Sequence, residues 1–255
     1  RNADAVVNCV GTFDAGGKNN FDAVQHEGAE RVARIAAAEG VGRLVHISSI
    51  GADVDSVSVY SKTKGLGEQA ILASFPGAVI LRPSVIFGTE DGFFNQFAGL
   101  ARLTPVLPLV GADTRFQPVW VGDVAEAAAR GASGEAAPGL YELGGPRVAT
   151  FRQCMQLMLK ITRRRRLLVN IPFFFARIKA WFLQKTAWIG VKPLLTVDQV
   201  RLLETDNVVS DGAAGFAELG IEPTAMEGIL ETYLYAYRPY GQYTALSETG
   251  KNADA

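Results

Sequence analysis

Sulfur and imidazole are scarce in this chain: its 255 residues include only two cysteines and two histidines. Cys9 and Cys154 cannot build a disulfide framework, and both are expected to be packing residues in a reducing compartment. His26 and His46 lack partners at metal-ligand spacing, so no metal site is expected. An excess of charge of either sign is missing too. Lys plus Arg number 25 and Asp plus Glu 26, which leaves no global field for nucleic acid. No uninterrupted apolar run reaches the roughly 18 residues a membrane-spanning helix needs, and no secretory signal pattern is visible. Internal repeats and low-complexity segments are absent.

What is present is an ordinary globular composition, 48% hydrophobic and 20% charged, in a strand–helix alternation. Residues 5–10 (AVVNCV) form a β-branched run that predicts a buried parallel strand. Phe21, Val24, Gly28, Val32 and Ile35 recur at helical spacing, and Gly40 is the stop signal of a helix over 21–39. Residues 43–47 predict a second strand, 61–74 a helix and 78–81 a third strand. This order implies right-handed βαβ crossovers and a parallel sheet. Beyond Pro83 the pattern loosens. A helix is expected over 93–103, a strand over 117–121, a helix over 124–130 with Asp123 as its N-cap, a short strand at 141–143 and a helix opening near Thr150.

Tyr60 and Lys64 lie four residues apart at the start of a helix and therefore share a face. Ser49 closes the second strand, and open parallel sheets bind ligands at the carboxyl ends of their strands. A hydroxyl, a phenol and an ammonium can together polarise a carbonyl and move a proton to or from its oxygen. Tyr-x-x-x-Lys alone is a weak signal and also describes a solvated helix face. Placed after Ser49 and before Glu68 and the strand end Leu81-Arg82-Pro83, it becomes more specific. Ser48 is an alternative to Ser49.

The ordered motifs VNCVG, HISSIGA, YSKTKGLGE, LRPSVIFG, FQPVWVGDVAEA and YELGGP resemble the extended and atypical short-chain dehydrogenase/reductases. Within these, ILRPSVIFGTEDGFFNQFA, PLLTVDQVRLLETDNVV and YRPYGQY are most similar to the NAD(P)-binding subunit family associated with respiratory complex I. The resemblance covers residues 4–243. It implies an α/β fold with a Rossmann-like parallel sheet, NAD or NADP as cofactor, and complex I subunits as partners. By position it carries catalytic roles onto Ser49, Tyr60 and Lys64, and cofactor contacts onto Gly11, Tyr60, Lys64, Pro83, Ser84 and Val85. The family's glycine-rich phosphate turn belongs to a first strand and helix, and nothing before Ala5 could supply it. Gly65-Leu-Gly67 imitates that turn but lies inside the helix after Tyr60. Many relatives carry a proton-relaying asparagine where this sequence has Gln25.

The chain opens at Arg1 in the middle of apparent structure and is expected to be part of a longer protein, the strand at 5–10 being the fourth of a Rossmann sheet. Residues 1–150 are expected to form a partial NAD(P)-binding domain lacking its first βαβ units, with core and cap elements interleaved after 88. Residues 151–246 would be a small α/β cap or partner-binding region, and 247–255 a polar tail. The stretch Arg163–Leu183, four arginines leading into a phenylalanine- and tryptophan-bearing run, fits either a membrane interface or a cap core with basic edges. Arg147 fits a loop charge better than a phosphate ligand. The leading functional expectation is an accessory subunit of complex I with a mainly structural nucleotide, cytoplasmic or peripheral at the cytoplasmic face of the inner membrane. The alternative is a free-standing NAD(P)-dependent epimerase, dehydratase or reductase of nucleotide sugars.

Overall fold

β-Branched runs and alanine-rich helical stripes build a first unit from residues 1–84, 121–146 and 207–224; a second takes residues 85–120, 147–206 and 225–255. The computed structural model describes residues 3–13, 17–184 and 196–241; the tail expected at 247–255 lies outside them. The division into units is interleaved, and the second unit takes about half of the chain.

In chain order, β1 (Ala5–Asn8) leads through a loop to a π-helical turn, Asp22–His26, and α1 (Glu27–Ala38). β2 (Arg43–Ile47), α2 (Val59–Ser74) and β3 (Val79–Pro83) follow. The second unit begins with β4 (Ile86–Phe87), α3 (Phe94–Leu103), β5 (Val106–Val110), β6 (Arg115–Phe116) and β7 (Val119–Trp120). The chain re-enters the first unit for α4 (Val121–Ser133) and β8 (Gly139–Leu143). It then adds β9 (Ala149–Thr150), α5 (Phe151–Ile161), β10 (Leu167–Ile171), α6 (Phe173–Gln184) and α7 (Val197–Leu202) to the second. α8 (Met226–Leu234) closes the second unit.

The first unit's sheet runs β1-β2-β3-β8 with every pairing parallel, as the βαβ reading expects. Ala29 and Ala33 of α1 and Ile71 of α2 close over Leu44 and Ala78 on one face. On the other, Gly131 lets α4 come close: a Cβ there would stand 2.7 Å from Val45 Cγ2. Asp123 is not an N-cap. It sits inside the first turn of α4, where its carboxylate accepts the Thr224 N–H at 2.7 Å and the Thr224 hydroxyl at 2.9 Å. The carboxylate thus ties the segment 207–224 to the helix.

The second unit is built on aromatics. Phe93, Phe94, Phe97, Phe116 and Phe151 meet edge-on or tilted, with centroids 5.0–6.3 Å apart. Such pairs add about 0.5–1.5 kcal/mol each beyond area burial. β5 and β10 pair in parallel beside this core, so residues 167–171 are a strand and only 173–184 a helix. α5 opens with a capping box, in which Thr150 Oγ1 accepts the Gln153 N–H and the Gln153 side chain returns to the Thr150 N–H.

Candidate functional site

At the carboxyl edge of the parallel sheet the chain leaves β2 into Ser48 and Ser49. Ser48 N–H donates to Leu81 O at 2.7 Å and Ile50 N–H to Pro83 O at 3.0 Å, which fixes the serines beside the end of β3. Ser58 caps α2 by accepting the Ser61 N–H, so Tyr60 falls in the first turn and Lys64 one turn on. Lys64 is buried, and its Nζ donates to Ile47 O at 3.0 Å. Burial pulls the ammonium down to about 8, against the opposing pull of Glu68. Gly11, just past β1, keeps the approach open: a Cβ there would stand 3.7 Å from Lys64 Nζ.

Tyr60 is half-buried, and burial of its phenol raises its pKa, so the hydroxyl holds its proton at neutral pH. Ser49 Oγ is buried and has no described partner at hydrogen-bonding geometry, yet it stands near enough to Tyr60 to draw that pKa partly back. Of the two serines, Ser48 is committed elsewhere: its hydroxyl donates to Glu68. Glu68 also accepts from Arg82, at 2.9 Å from Nε and 2.6 Å from Nη2. Arg82 reaches Glu142 at 3.6 Å, and Glu142 accepts the Ser210 N–H at 2.8 Å. These buried charges pin β2, α2, β3, β8 and the 207–224 segment to one another around the serines.

The structure therefore brings Gly11, Ser49, Tyr60 and Lys64 together. Pro83 lies beside Ile50 through its carbonyl. Ser84 is buried with its hydroxyl on Asn207, 2.6 Å from Oδ1 and 2.9 Å from the carbonyl. Val85 belongs to the second unit, where its carbonyl accepts the Val119 N–H. Gln25 is wholly buried in the π-helical turn. Its Nε2 donates to Thr12 O at 2.7 Å, and its Oε1 accepts from Thr63 Oγ1 at 2.9 Å. The amide links the loop after β1 to α2 and is spoken for on both sides. π-Helical turns inside α-helices often mark functional sites.

The glycines of Gly65-Leu-Gly67 serve helix packing. A Cβ on Gly67 would stand 2.1 Å from Gln25 O, and one on Gly65 would stand 2.7 Å from Val54 N. Sequence reasoning missed Phe13, whose ring stacks on Tyr60 with centroids 4.9 Å apart and planes 6° from parallel, while Phe21 meets Tyr60 edge-on. An aromatic in a Gly/Asn-rich loop was the available signal. Missed as well was Asn8, whose Nδ2 lies 3.1 Å from His46 Nδ1. His46 is buried and held neutral, its pKa pulled down to about 3 by burial first and by Lys64 second.

Other sequence candidates resolve into structural parts. His26 meets Asp22 at 2.9 Å on an outer face, and Arg147 pairs with Glu227 at 2.9 Å. Cys154 is buried, and burial pushes its thiol up to about 12. Cys9 is exposed just past the end of β1 and is not the packing residue expected.

The parallel sheet, its crossovers and the polar cluster at its carboxyl edge define a Rossmann-like α/β fold of the short-chain dehydrogenase/reductase class. The match to the RmlD substrate binding domain family runs over residues 2–171, about two thirds of the chain, and the chain belongs to that family. It is 34% identical over 248 residues to NADH dehydrogenase (ubiquinone) 1 alpha subcomplex subunit 9, mitochondrial, of Arabidopsis thaliana, covering 94% of this chain and 62% of that protein. It is 32% identical over 253 residues to the mitochondrial NADH-ubiquinone oxidoreductase 40 kDa subunit of Neurospora crassa, covering 98% of this chain and 66% of that protein. The chain thus spans a little under two thirds of the length of these curated relatives. Among solved structures, dTDP-4-dehydrorhamnose reductase from Bacillus anthracis in complex with NADP superposes with a TM-score of 0.66 at 15% identity, over 90% of this chain and 79% of that one. This likeness is one of fold.

Proposed function

We propose that this chain is the nicotinamide-nucleotide-binding part of an accessory subunit of respiratory complex I, with the nucleotide acting mainly as a structural anchor. The observation that carries the reading is the alignment with complex I subunits of a plant and a fungus over nearly the whole of this chain. The residues at the sheet edge fit the nicotinamide end of NAD(P). Lys64 offers a buried ammonium, Gly11 lies beside it, and Ser49 contributes a buried hydroxyl next to Tyr60. In this reading Gly11, Tyr60, Lys64, Pro83, Ser84 and Val85 border the nucleotide. A peripheral position at the cytoplasmic face of the inner membrane belongs to the same proposal.

The Ser49, Tyr60 and Lys64 cluster supports a second reading, an NAD(P)-dependent epimerase, dehydratase or reductase of nucleotide sugars. There the bound nucleotide would supply or take a hydride. Tyr60 would hand its proton to a substrate oxygen, Ser49 would position that oxygen, and Lys64 would favour the phenolate. Gln25, committed to Thr12 and Thr63, is poorly disposed to relay protons onward.

Titration of NAD and NADP, with Lys64→Met as the control, tests the nucleotide. Affinity should fall as pH rises through about 8, where the ammonium loses its charge, and that pH dependence should vanish in Lys64→Met. Nucleotide binding without turnover, together with co-purification with complex I, upholds the subunit reading. Turnover of a nucleotide sugar that is lost in Tyr60→Phe would replace it with the enzyme, and absence of any nucleotide binding would refute both.

A further inference from the structure

α6 is amphipathic in the reverse of the usual sense. Its small residues Ala176 and Ala180 are buried against Val200 of α7, so the helix is docked by an alanine stripe. Its large apolar residues Phe174, Phe175, Ile178, Trp181 and Phe182 are the exposed ones, at 43–67% exposure. At about 100° per residue these five fall within an arc of about 120°, with Lys179 on one border and Arg177, which is ion-paired with Glu204, on the other. A depression of about 410 Å³ opens beside them, lined by Arg177, Ile178, Trp181, Phe182 and Val197. An outward apolar arc of this kind, holding tryptophan and edged by basic residues, is what a helix lying in a lipid interface requires.

Charge selects the occupant. Residues 143–197 contain eleven Lys and Arg and no Asp or Glu, in a chain whose formal net charge is −1. Burial lowers the pKa of Arg164, and neighbouring Arg166 and Arg102 lower it further. A second copy of the chain would bring the same positive field against this one. An anionic bilayer brings the opposite field and apolar depth for the five side chains.

We propose that α6 seats the protein on an anionic lipid surface, its Phe/Trp arc immersed at the headgroup boundary and Lys179 at the border of that arc reaching lipid phosphates. This contact is independent of the nucleotide reading. Among the described residues no helix is long and apolar enough to cross a membrane, so the contact is a lateral one.

The test is sedimentation of the full chain with phosphatidylcholine vesicles, with and without phosphatidylglycerol. Binding is expected only with phosphatidylglycerol and should weaken as salt screens the charges. The double variant Phe175→Ser/Phe182→Ser should lose about tenfold or more in vesicle affinity while melting temperature and nucleotide affinity stay unchanged, because both side chains are already exposed. Lipids brominated in the acyl chains should quench tryptophan fluorescence, and part of that quenching should disappear in Trp181→Phe. Equal binding by the double variant, indifference to phosphatidylglycerol, or a self-associated or partner-bound form that needs these residues while vesicles stay free would each overturn the proposal.

Discussion

Buried polarity is divided unequally between the two units. Of the 14 buried polar or charged residues among those described, 12 lie in the first unit, and the two in the second are Thr114 and Thr162, whose hydroxyls donate to backbone carbonyls. The second unit instead buries a phenylalanine cluster and presents further aromatics outward on α6. A buried polar group is costly unless paired, and the first unit keeps Asn8, His46, Lys64, Glu68 and Glu142 buried with partners at one sheet edge. A region built on phenylalanine can be close-packed and polarity-free.

The comparison breaks most readily at acid pH. His46 is pulled from 6.5 to about 3, so above 6.5 it is neutral in both folded and unfolded chains and contributes nothing to the pH dependence. Below 6.5 the unfolded chain takes up a proton that the folded one refuses, and stability falls until about pH 3. The loss can reach about 4–5 kcal/mol. Urea unfolding of His46→Gln should show a shallower acid slope, and an unchanged slope would remove His46 from the account. At neutral pH, Glu68→Ala should cost about 3–5 kcal/mol, because it leaves Arg82 half-paired and Ser48 without its acceptor. Phe94→Ala should cost a similar 3–5 kcal/mol by cavity formation in the second unit. Salt and pH should modulate the first loss and leave the second untouched; identical responses would erase the distinction between the units. Gly67→Ala should cost about 1–3 kcal/mol, since α2 and the π-helical turn must part, and thermal melting measures it. Smallest is Thr150→Ala, which removes the cap of α5 for about 1 kcal/mol.

Much of the first unit was legible because strand and helix periods are local. The β-branched runs, Gly40 as a stop and the Tyr60–Lys64 spacing each need only a few neighbouring residues, and the parallel sheet follows from their order. Asp123 misled because an acid before an apolar helical run looks like a cap. Its true partner, Thr224, is 101 residues away, and no local pattern announces it. Distance in sequence likewise hid the link from Glu68 through Arg82 and Glu142 to Ser210. Phe13 went unnoticed because stacking on Tyr60 depends on where a loop folds back. The basic apolar stretch was half legible: its composition fitted an interface or a cap core, but did not tell that a strand precedes the helix or that alanines, rather than phenylalanines, face inward.

The sequence by itself determined the α/β class, the βαβ order and the presence of serine, tyrosine and lysine at one sheet edge, because periodicity and short spacings act along the chain. Only the tertiary structure showed that Glu68 captures the hydroxyl of Ser48 and not that of Ser49. It also decided that Gly65 packs α2 against the loop at Asp53 and Val54, that Gly67 packs it against the π-helical turn, and that Gln25 ties a loop to α2. Which face of α6 meets solvent was settled in the same way, by Val200 claiming the alanine stripe. Each of these depends on a partner brought close by folding, and proximity in space is what a linear pattern does not carry.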